Sequence, residues 1–251
     1  MKTQEYILPQ RTGFQKVEKK LLEIFWRPYI LWYTSKKRFF RWQEISVQVN
    51  PGVFHPGFFF STKILLNYIK DKKFKARKVL ELGAGSGIIS IYIASKGASV
   101  LATDINSEAI ENIKLNIKLN DELIKENSGI IQAAESDLFK KIAKEKYDYI
   151  LLNPPFYRGE AEKPADYAWY CGSDLNFFSN LFAELDEYIH AKTDILMILS
   201  QEAELIEIRK LAEEKQFELI CVHTKKNLLE TNFIFRIQSR KLESTGNQIM
   251  A

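Results

Sequence analysis

The sequence predicts an α/β fold, in which helices cover both faces of a mostly parallel sheet. From Lys78 onward, short apolar runs alternate with longer amphipathic ones, which is the pattern of strands and their connecting helices. A glycine-rich turn, Gly83–Gly87, directly follows the first of these apolar runs. The last two β-like runs have no helix between them, so we expect a hairpin that places one antiparallel strand in the sheet.

Seven strands and four helices are predicted after residue 77. The expected strands are Val79–Leu82, Ser99–Thr103, Gly129–Ala133, Tyr147–Leu152, Asp194–Leu199, Phe217–His223 and Asn232–Gln238. The expected helices are Ser86–Lys96, Ser107–Asn120, Leu175–Ile189 and Ala203–Lys215. In the second helix, helical spacing is expected to bring four apolar side chains close to one face: Ile110, Ile113, Leu115 and Ile117.

The chain is predicted to divide into three parts. Residues 1–52 are expected to form an N-terminal substrate-recognition or lid segment, residues 53–240 the α/β domain, and residues 241–251 a flexible polar tail. Within the N-terminal part, two strands are expected at Tyr29–Tyr33 and Arg38–Val49, joined by the basic turn Ser35–Lys37.

Residues 16–42 combine basic and aromatic side chains. Eight lysines and arginines are interleaved with eight aromatic residues, against two glutamates. Basic side chains contact phosphates and aromatic rings stack on unpaired bases, so the segment is a candidate RNA-binding platform. The alternative is an amphipathic lid whose aromatic side chains are buried and whose charges face solvent. The sequence leaves both interpretations open.

Composition limits the class of protein. Lys and Arg number 36 against 32 Asp and Glu, a formal charge of +4 that indicates no particular partner. The two cysteines, Cys171 and Cys221, cannot form a disulfide framework and have no metal-ligand spacing. The first residues are polar and lack the apolar run of a signal peptide, and no stretch approaches the roughly 20 apolar residues that span a bilayer. We therefore expect a cytoplasmic protein without membrane contact and without a metal.

The glycine-rich turn is a candidate cofactor site. Gly83, Gly85 and Gly87 stand between a strand and a helix, where missing Cβ atoms let the backbone approach a ligand. Asp104 ends the next strand about 20 residues later, where a carboxylate accepts hydrogen bonds from ribose hydroxyls. Ile88 replaces the last glycine of the dinucleotide fingerprint, and Glu81 would repel a pyrophosphate. Both residues disfavour a nicotinamide-dependent oxidoreductase.

The stretch Asn153–Phe156, with the sequence NPPF, indicates the chemistry at the other end of the site. The Asn153 side-chain oxygen and the Pro154 carbonyl are two acceptors that can hold the two hydrogens of a planar amine or amide. The prolines supply a rigid backbone, and Phe156 can stack on the planar group. Transfer to such a nitrogen depends on alignment, which agrees with the lack of an obvious catalytic His or Cys pair.

Together these motifs resemble the class I S-adenosylmethionine-dependent N-methyltransferases, over roughly residues 53–238. The resemblance implies the Rossmann-like methyltransferase fold and the cofactor S-adenosyl-L-methionine. It implies catalytic roles for Asn153, Pro154 and Phe156. The cofactor-binding residues that it implies are Glu81, Gly83, Ala84, Gly85, Gly87, Asp104, Ile105, Asp137, Leu138 and Asn153.

The resemblance also suggests the acceptor. Asn50–Pro56, with the sequence NPGVFHP, is similar to the P-G-V-x-x-P stretch of the release-factor glutamine methyltransferases, which modify a protein glutamine amide. Gly57–Thr62 departs from that family's next stretch, Arg-Pro-Glu-Thr-Glu. The first alternative is therefore an adenine or guanine N-methyltransferase of ribosomal or transfer RNA. The second alternative is a non-catalytic RNA-binding relative that keeps the fold.

Overall fold

The computed structural model describes residues 33–57, 60–227 and 230–242. A seven-stranded sheet forms its centre, with the spatial order β5-β4-β3-β6-β7-β9-β8. These strands are β3 (Lys78–Leu82), β4 (Ser99–Asp104), β5 (Ile130–Glu135), β6 (Tyr147–Leu152), β7 (Ile189–Ser200), β8 (Phe217–Lys226) and β9 (Thr231–Ser239). β9 pairs antiparallel with both β7 and β8, while the other pairings are parallel. The predicted sheet, with its single antiparallel strand near the C-terminus, is confirmed.

Helices pack on both faces of this sheet, and each face has its own apolar core. The α-helices are α1 (Phe60–Ile69), α2 (Ile88–Ala94), α3 (Ser107–Leu119), α4 (Asp121–Glu126), α5 (Asn176–Glu184) and α6 (Leu205–Glu214). Two 3₁₀ helices, Pro164–Ala168 and Leu185–Tyr188, flank α5. One core joins α1 and α2 to β3, β7 and β9, and the other packs α5 and α6 against the opposite face. No helix in the described ranges is long and apolar enough to cross a bilayer.

The N-terminal strand prediction is wrong in one respect. Arg38–Val49 is not a single strand but a hairpin of β1 (Arg38–Trp42) and β2 (Ile45–Val49), which pair antiparallel. The chain reverses at Gln43, which has a φ of +51°. The partner strand expected at Tyr29–Tyr33 lies almost entirely outside the described residues, as do most of the basic-aromatic segment and the polar tail after residue 242.

The helix predictions needed smaller corrections. Leu115 is 43% exposed, because it stands two residues from both Ile113 and Ile117 and so points to the far side of α3. The predicted helix at Leu175–Ile189 ends at Glu184, continues as a 3₁₀ turn and gives way to β7 at Ile189. Helices α1 and α4 were not predicted.

Three asparagines, two within α3 and one at its C-cap, attach the hairpin to the sheet domain. Asn112, Asn116 and Asn120 are spaced four residues apart, so they share one helix face, and all three are buried. Their carboxamides pair with backbone groups of β2 and of Asn50, at donor–acceptor distances of 2.7–3.2 Å. Asn116 also donates to the Ser86 carbonyl in the glycine-rich turn, at 2.9 Å. The hairpin is therefore fixed against the same loop that forms the candidate cofactor site.

Candidate active site

A cavity of about 500 Å³ opens at the carboxyl ends of the central strands. It lies where the sheet order reverses, between β3 and β6, which is the usual ligand position in open α/β sheets. Its walls include both sequence motifs, the glycine-rich turn and Asn153–Phe156. Of the predicted site residues, only Gly87 does not line this cavity. The tertiary structure thus brings the two ends of the predicted site into one chamber.

The glycine-rich turn combines backbone conformation with open space. Gly83, Gly85 and Gly87 have φ values of +72°, +55° and +79°, a left-handed region that costs other residues about 1–2 kcal/mol. A Cβ built on Gly83 would meet nothing within 4 Å, whereas one on Gly87 would lie 3.1 Å from the Ile113 side chain. Gly83 therefore leaves room for a ligand, and Gly87 permits the close packing of α2 on α3.

These two glycines provide a matched pair for mutagenesis. Both Gly83→Ala and Gly87→Ala carry the left-handed backbone penalty, so both variants should unfold at a lower temperature than the wild type. Gly87→Ala should be the less stable of the two because it adds the contact with Ile113, while Gly83→Ala should lose more cofactor affinity. Thermal unfolding and calorimetric titration with S-adenosylmethionine measure the two effects. Equal affinities in the two variants would contradict the assignment of Gly83 to the cofactor side.

Glu81 is a buried carboxyl group at the cavity wall. It is 2% exposed, and the Ser90 hydroxyl of α2 donates a hydrogen bond to its Oε2. Burial raises the pKa of the Glu81 carboxyl to about 8, although the Ser90 hydrogen bonds oppose part of this increase. Without a ligand, the group is therefore mostly protonated at neutral pH. A cationic ligand beside it would favour the carboxylate.

Asp104 holds the turn in place and borders the cavity at the end of β4. Its Oδ2 accepts a hydrogen bond from the Gly85 N–H at 2.8 Å, and its Oδ1 accepts one from the Asn106 N–H at 2.9 Å. Burial raises the pKa of Asp104, and these backbone hydrogen bonds oppose the increase. The Ile105 N–H is a third backbone donor to this carboxylate. A carboxylate has about four acceptor sites, so a further donor such as a ribose hydroxyl can still be accepted. Ile105, 36% exposed, presents an apolar side chain at the same wall.

Asp137 and Leu138 line the cavity beyond the end of β5. The Asp137 carboxylate forms an ion pair with Lys140 at 2.6 Å and is 41% exposed, so a ligand there would compete with a surface lysine. Leu138 is buried and has a φ of +48°, and its carbonyl accepts a hydrogen bond from the Ser136 hydroxyl at 2.8 Å. Both residues border the cavity, and their cofactor-binding role stays a prediction. Asp137 is less well prepared for a ligand than Asp104, because its carboxylate is already paired with Lys140.

Asn153 is oriented by a residue that the sequence did not single out. Its Nδ2 donates to the Thr62 hydroxyl of α1 at 3.4 Å, and Thr62 is 4% exposed. Because Nδ2 donates to Thr62, the Oδ1 atom is left to accept a hydrogen bond from an N–H or O–H group of a ligand in the cavity. Pro154 is buried, and Phe156 packs partly against the apolar core while lining the cavity. The arrangement supplies rigid acceptors beside one aromatic face.

The segment Tyr157–Gly172 forms a flap over this end of the cavity. Tyr157 and Tyr170 form a β-bridge, in which the Tyr157 N–H donates to the Trp169 carbonyl and the Cys171 N–H donates to the Tyr157 carbonyl. The Trp169 ring contacts Phe54 edge to face, with 5.9 Å between ring centroids. Tyr157, Tyr167 and Tyr170 are all more than a third exposed and line the cavity. No pattern in the sequence predicted this flap.

Charges around the cavity have one sign. Six carboxyl groups line it: Glu81, Asp104, Asp137, Glu160, Asp174 and Glu230. Within the described ranges, no Lys, Arg or His side chain lines it. His55 packs nearby against Tyr33 and Phe40 instead, with burial lowering its pKa. Among the same residues, no group of three or more His, Cys, Asp or Glu side chains could hold a metal ion.

Fold and site together define a Rossmann-like α/β protein in which the glycine-rich turn and Asn153–Phe156 face one chamber. The family profile described as "Methyltransferase small domain" matches residues 44–169. The chain belongs to this methyltransferase family.

Two curated relatives illustrate the range of the family. A provisionally named protein N5-glutamine methyltransferase of Methanocaldococcus jannaschii is 36% identical over 136 residues, covering 54% of this chain and 60% of the relative. The ribosomal RNA small subunit methyltransferase C of Haemophilus influenzae is 32% identical over 171 residues, covering 63% and 49% respectively. The chain therefore spans about half of the length of these relatives.

Solved structures share the fold at low sequence identity. The Mtq2–Trm112 complex of E. cuniculi, described as methylating the eRF1 termination factor, has a TM-score of 0.55 and 20% identity, covering 75% of this chain and 99% of that one. The T. thermophilus 16S rRNA N2 methyltransferase, solved with AdoMet and guanosine, has a TM-score of 0.55 and 19% identity, covering 82% and 50%. These similarities confirm the predicted Rossmann-like methyltransferase fold.

Proposed function

We propose that the protein is an S-adenosylmethionine-dependent N-methyltransferase whose acceptor is the side-chain amide of a glutamine in a protein of the release-factor type. The observation that carries the proposal is that the glycine-rich turn and Asn153–Phe156 line the same cavity, together with several carboxyl groups. One ligand at each end would place a methyl donor opposite a planar nitrogen.

The residues at the glycine-rich end fit the cofactor. Open space in front of Gly83 accepts a ligand close to the backbone, and the Glu81 carboxyl suits a group with positive charge. Asp104 would accept hydrogen bonds from the ribose hydroxyls, and Ile105 would pack on the adenine ring. Leu138 and Asp137 would border the adenine. When bound, S-adenosylmethionine supplies an electrophilic methyl group on a sulfonium centre.

The residues at the other end position the acceptor nitrogen. The Asn153 Oδ1 and the Pro154 carbonyl would each accept one N–H of the amide, while Phe156 would stack on its plane. Because the nitrogen lone pair of an amide is delocalised, holding both hydrogens out of the amide plane would direct the lone pair toward the methyl carbon. These residues contribute alignment of the reacting atoms. In well-oriented intramolecular reactions, alignment lowers the activation free energy by up to about 7–11 kcal/mol.

The acidic walls favour a protein acceptor over RNA. Glu160, Asp174 and Glu230 border the cavity away from the glycine-rich turn, and the described walls offer no cation for a phosphate. Proteins that bind nucleic acids normally present lysine and arginine to the backbone. A neutral glutamine side chain entering this chamber brings no negative charge with it.

The RNA alternative is favoured by one different observation, on the hairpin. Phe39, 67% exposed, and the exposed Arg41 stand two residues apart on β1, so they share an outward face. An aromatic ring beside an arginine suits a stacked base and its phosphate. Four expectations stay predictions. They are an RNA-binding role for the rest of the basic-aromatic segment, the three-part division of the chain, the non-catalytic alternative and the cytoplasmic location.

Methyl transfer into a cell extract tests the proposal. Purified protein is incubated with tritiated S-adenosylmethionine and extract from cells that lack the gene, and label is scored after separate digestion with protease and nuclease. We expect protease-sensitive label that maps to a glutamine residue. Nuclease-sensitive label would select the RNA alternative, and failure to bind S-adenosylmethionine in a direct titration would overturn the whole proposal.

A further inference from the structure

Asn232 is a buried polar residue that neither sequence motif includes. It lies at the start of β9, lines the cavity and is 1% exposed. Its Nδ2 atom is itself buried and has no hydrogen-bond partner among the residues that the structure describes. A buried donor without a partner is uncommon in folded proteins and is costly when nothing compensates for it. The carboxamide therefore has an unused hydrogen-bond donor at the wall of the chamber.

Asn232 stands on the same side of the sheet as Asn153. Ile234, two residues along β9, packs in the core that contains α1, and Asn153 donates to Thr62 on that helix. Residues two apart on a strand share a face, so the Asn232 side chain also lies on the α1 side. Only β7 separates β6 from β9, which puts their backbones about 10 Å apart. The strand registers place Asn232 opposite Ser200, two residues beyond the level of Asn153, so the two Cα atoms are about 12 Å apart. One amide group can reach hydrogen bonds from both asparagines across that gap.

The neighbours of Asn232 leave this donor for a ligand. Ser200 is the residue paired with it on β7, but the Ser200 hydroxyl donates to Glu230 at 3.2 Å. Glu230 also lines the cavity and has its own backbone N–H bonded to the Asn227 side chain at 2.8 Å. The serine proton is thus committed to Glu230, and the asparagine amide does not share in that contact.

We propose that Asn232 is a specificity residue that donates a hydrogen bond to the carbonyl oxygen of the acceptor glutamine amide. This inference rests on the proposed function. Asn153 and Pro154 accept from the nitrogen of the amide, and Asn232 donates to its oxygen, so both halves of the group are recognised. A donor at this point also discriminates against a side chain that presents N–H groups in both positions, such as arginine.

Two substitutions and one control test the assignment. Asn232→Leu replaces the amide by an apolar side chain of similar size, and Asn232→Ala gives a smaller variant that cannot clash. Ser239→Ala is the control, because Ser239 is a buried polar residue at the opposite end of the same strand, where its hydroxyl donates to Asp186. Each protein is measured for its melting temperature, its affinity for S-adenosylmethionine, and KM and kcat with the protein fraction of the extract as acceptor.

We expect Asn232→Leu to fold with an unchanged or higher melting temperature, because it removes an unpaired buried amide. Its cofactor affinity should match the wild type, and its KM for the acceptor should rise about tenfold, the effect of one hydrogen bond, with a smaller change in kcat. Ser239→Ala should keep the wild-type KM.

Other results would overturn the assignment. A wild-type KM in both Asn232 variants would show that the amide does not contact the acceptor, and a fall in melting temperature with unchanged KM would make its role structural. Failure of the proposed function is distinguishable, since the wild type itself would then label RNA or nothing. If the wild type labelled RNA or nothing, the acceptor would not be a glutamine amide, and its carbonyl oxygen could not be the partner of Asn232.

Discussion

Asn153→Ala should reduce the rate of methyl transfer by about 10²–10³-fold, the loss typical of removing one positioned hydrogen-bonding group at a reacting centre. The substitution removes the Oδ1 acceptor that Thr62 leaves directed to the cavity. Affinity for S-adenosylmethionine should change little, because the asparagine acts on the acceptor nitrogen. A fall in kcat with an unchanged cofactor dissociation constant is the signature of a group that works in the transition state. Single-turnover transfer and calorimetric titration measure the two quantities.

Two milder variants form a graded series with Asn153→Ala. Asn153→Asp keeps an oxygen acceptor at the same position and should keep part of the rate. Thr62→Val removes the hydroxyl that accepts from Nδ2, so the carboxamide can rotate, and the rate should fall by an intermediate amount. If Asn153→Ala transferred methyl groups as fast as the wild type, the role assigned to the motif would be wrong.

Glu81→Gln should change how both stability and cofactor binding depend on pH. The Glu81 carboxyl has an ordinary pKa of 4.5, and burial in the folded protein raises it to about 8. Between these values the folded state binds more protons than the unfolded state, so Glu81 lowers the free energy of unfolding as the pH rises. Glutamine resembles the protonated form and keeps an acceptor for Ser90. The variant should therefore be more stable than the wild type near pH 8, and the difference should shrink toward pH 5.

Cofactor affinity should show the opposite preference. A cationic cofactor group favours the Glu81 carboxylate, so wild-type affinity for S-adenosylmethionine should increase from pH 6 to pH 8.5 as the carboxyl loses its proton. Glu81→Gln should lack this increase and bind about 10–100-fold more weakly at pH 8.5, the effect of losing one charge-assisted hydrogen bond. Melting curves and titrations across this pH range test both effects. Glu135→Gln, at an exposed position that ends β5, is the control and should behave as the wild type.

The fold could be predicted from the sequence because its signals are local. The apolar run Tyr147–Leu152 agrees with the observed strand at both ends. Because no helical pattern separates the last two apolar runs, the sequence also predicted that β9 is antiparallel. The hairpin at Arg38–Val49 was missed because its turn, at Gln43, contains neither glycine nor proline. In β2, buried Ile45, Val47 and Val49 alternate with less buried residues. This alternation identifies the second strand of the hairpin but not the turn before it.

The sequence by itself determined the succession of strands and helices along the chain, the glycine-rich turn and the NPPF motif, since each depends on residues that are neighbours along the chain. Only the tertiary structure decided how these residues act together. Thr62 and Asn153 are 91 positions apart, and their contact orients the amide. The protonation of Glu81 depends on burial by other elements, and Asn232 reaches the cavity because β9 lies two strands from β6. Such properties arise from packing between distant segments, which local periodicity and spacing do not encode.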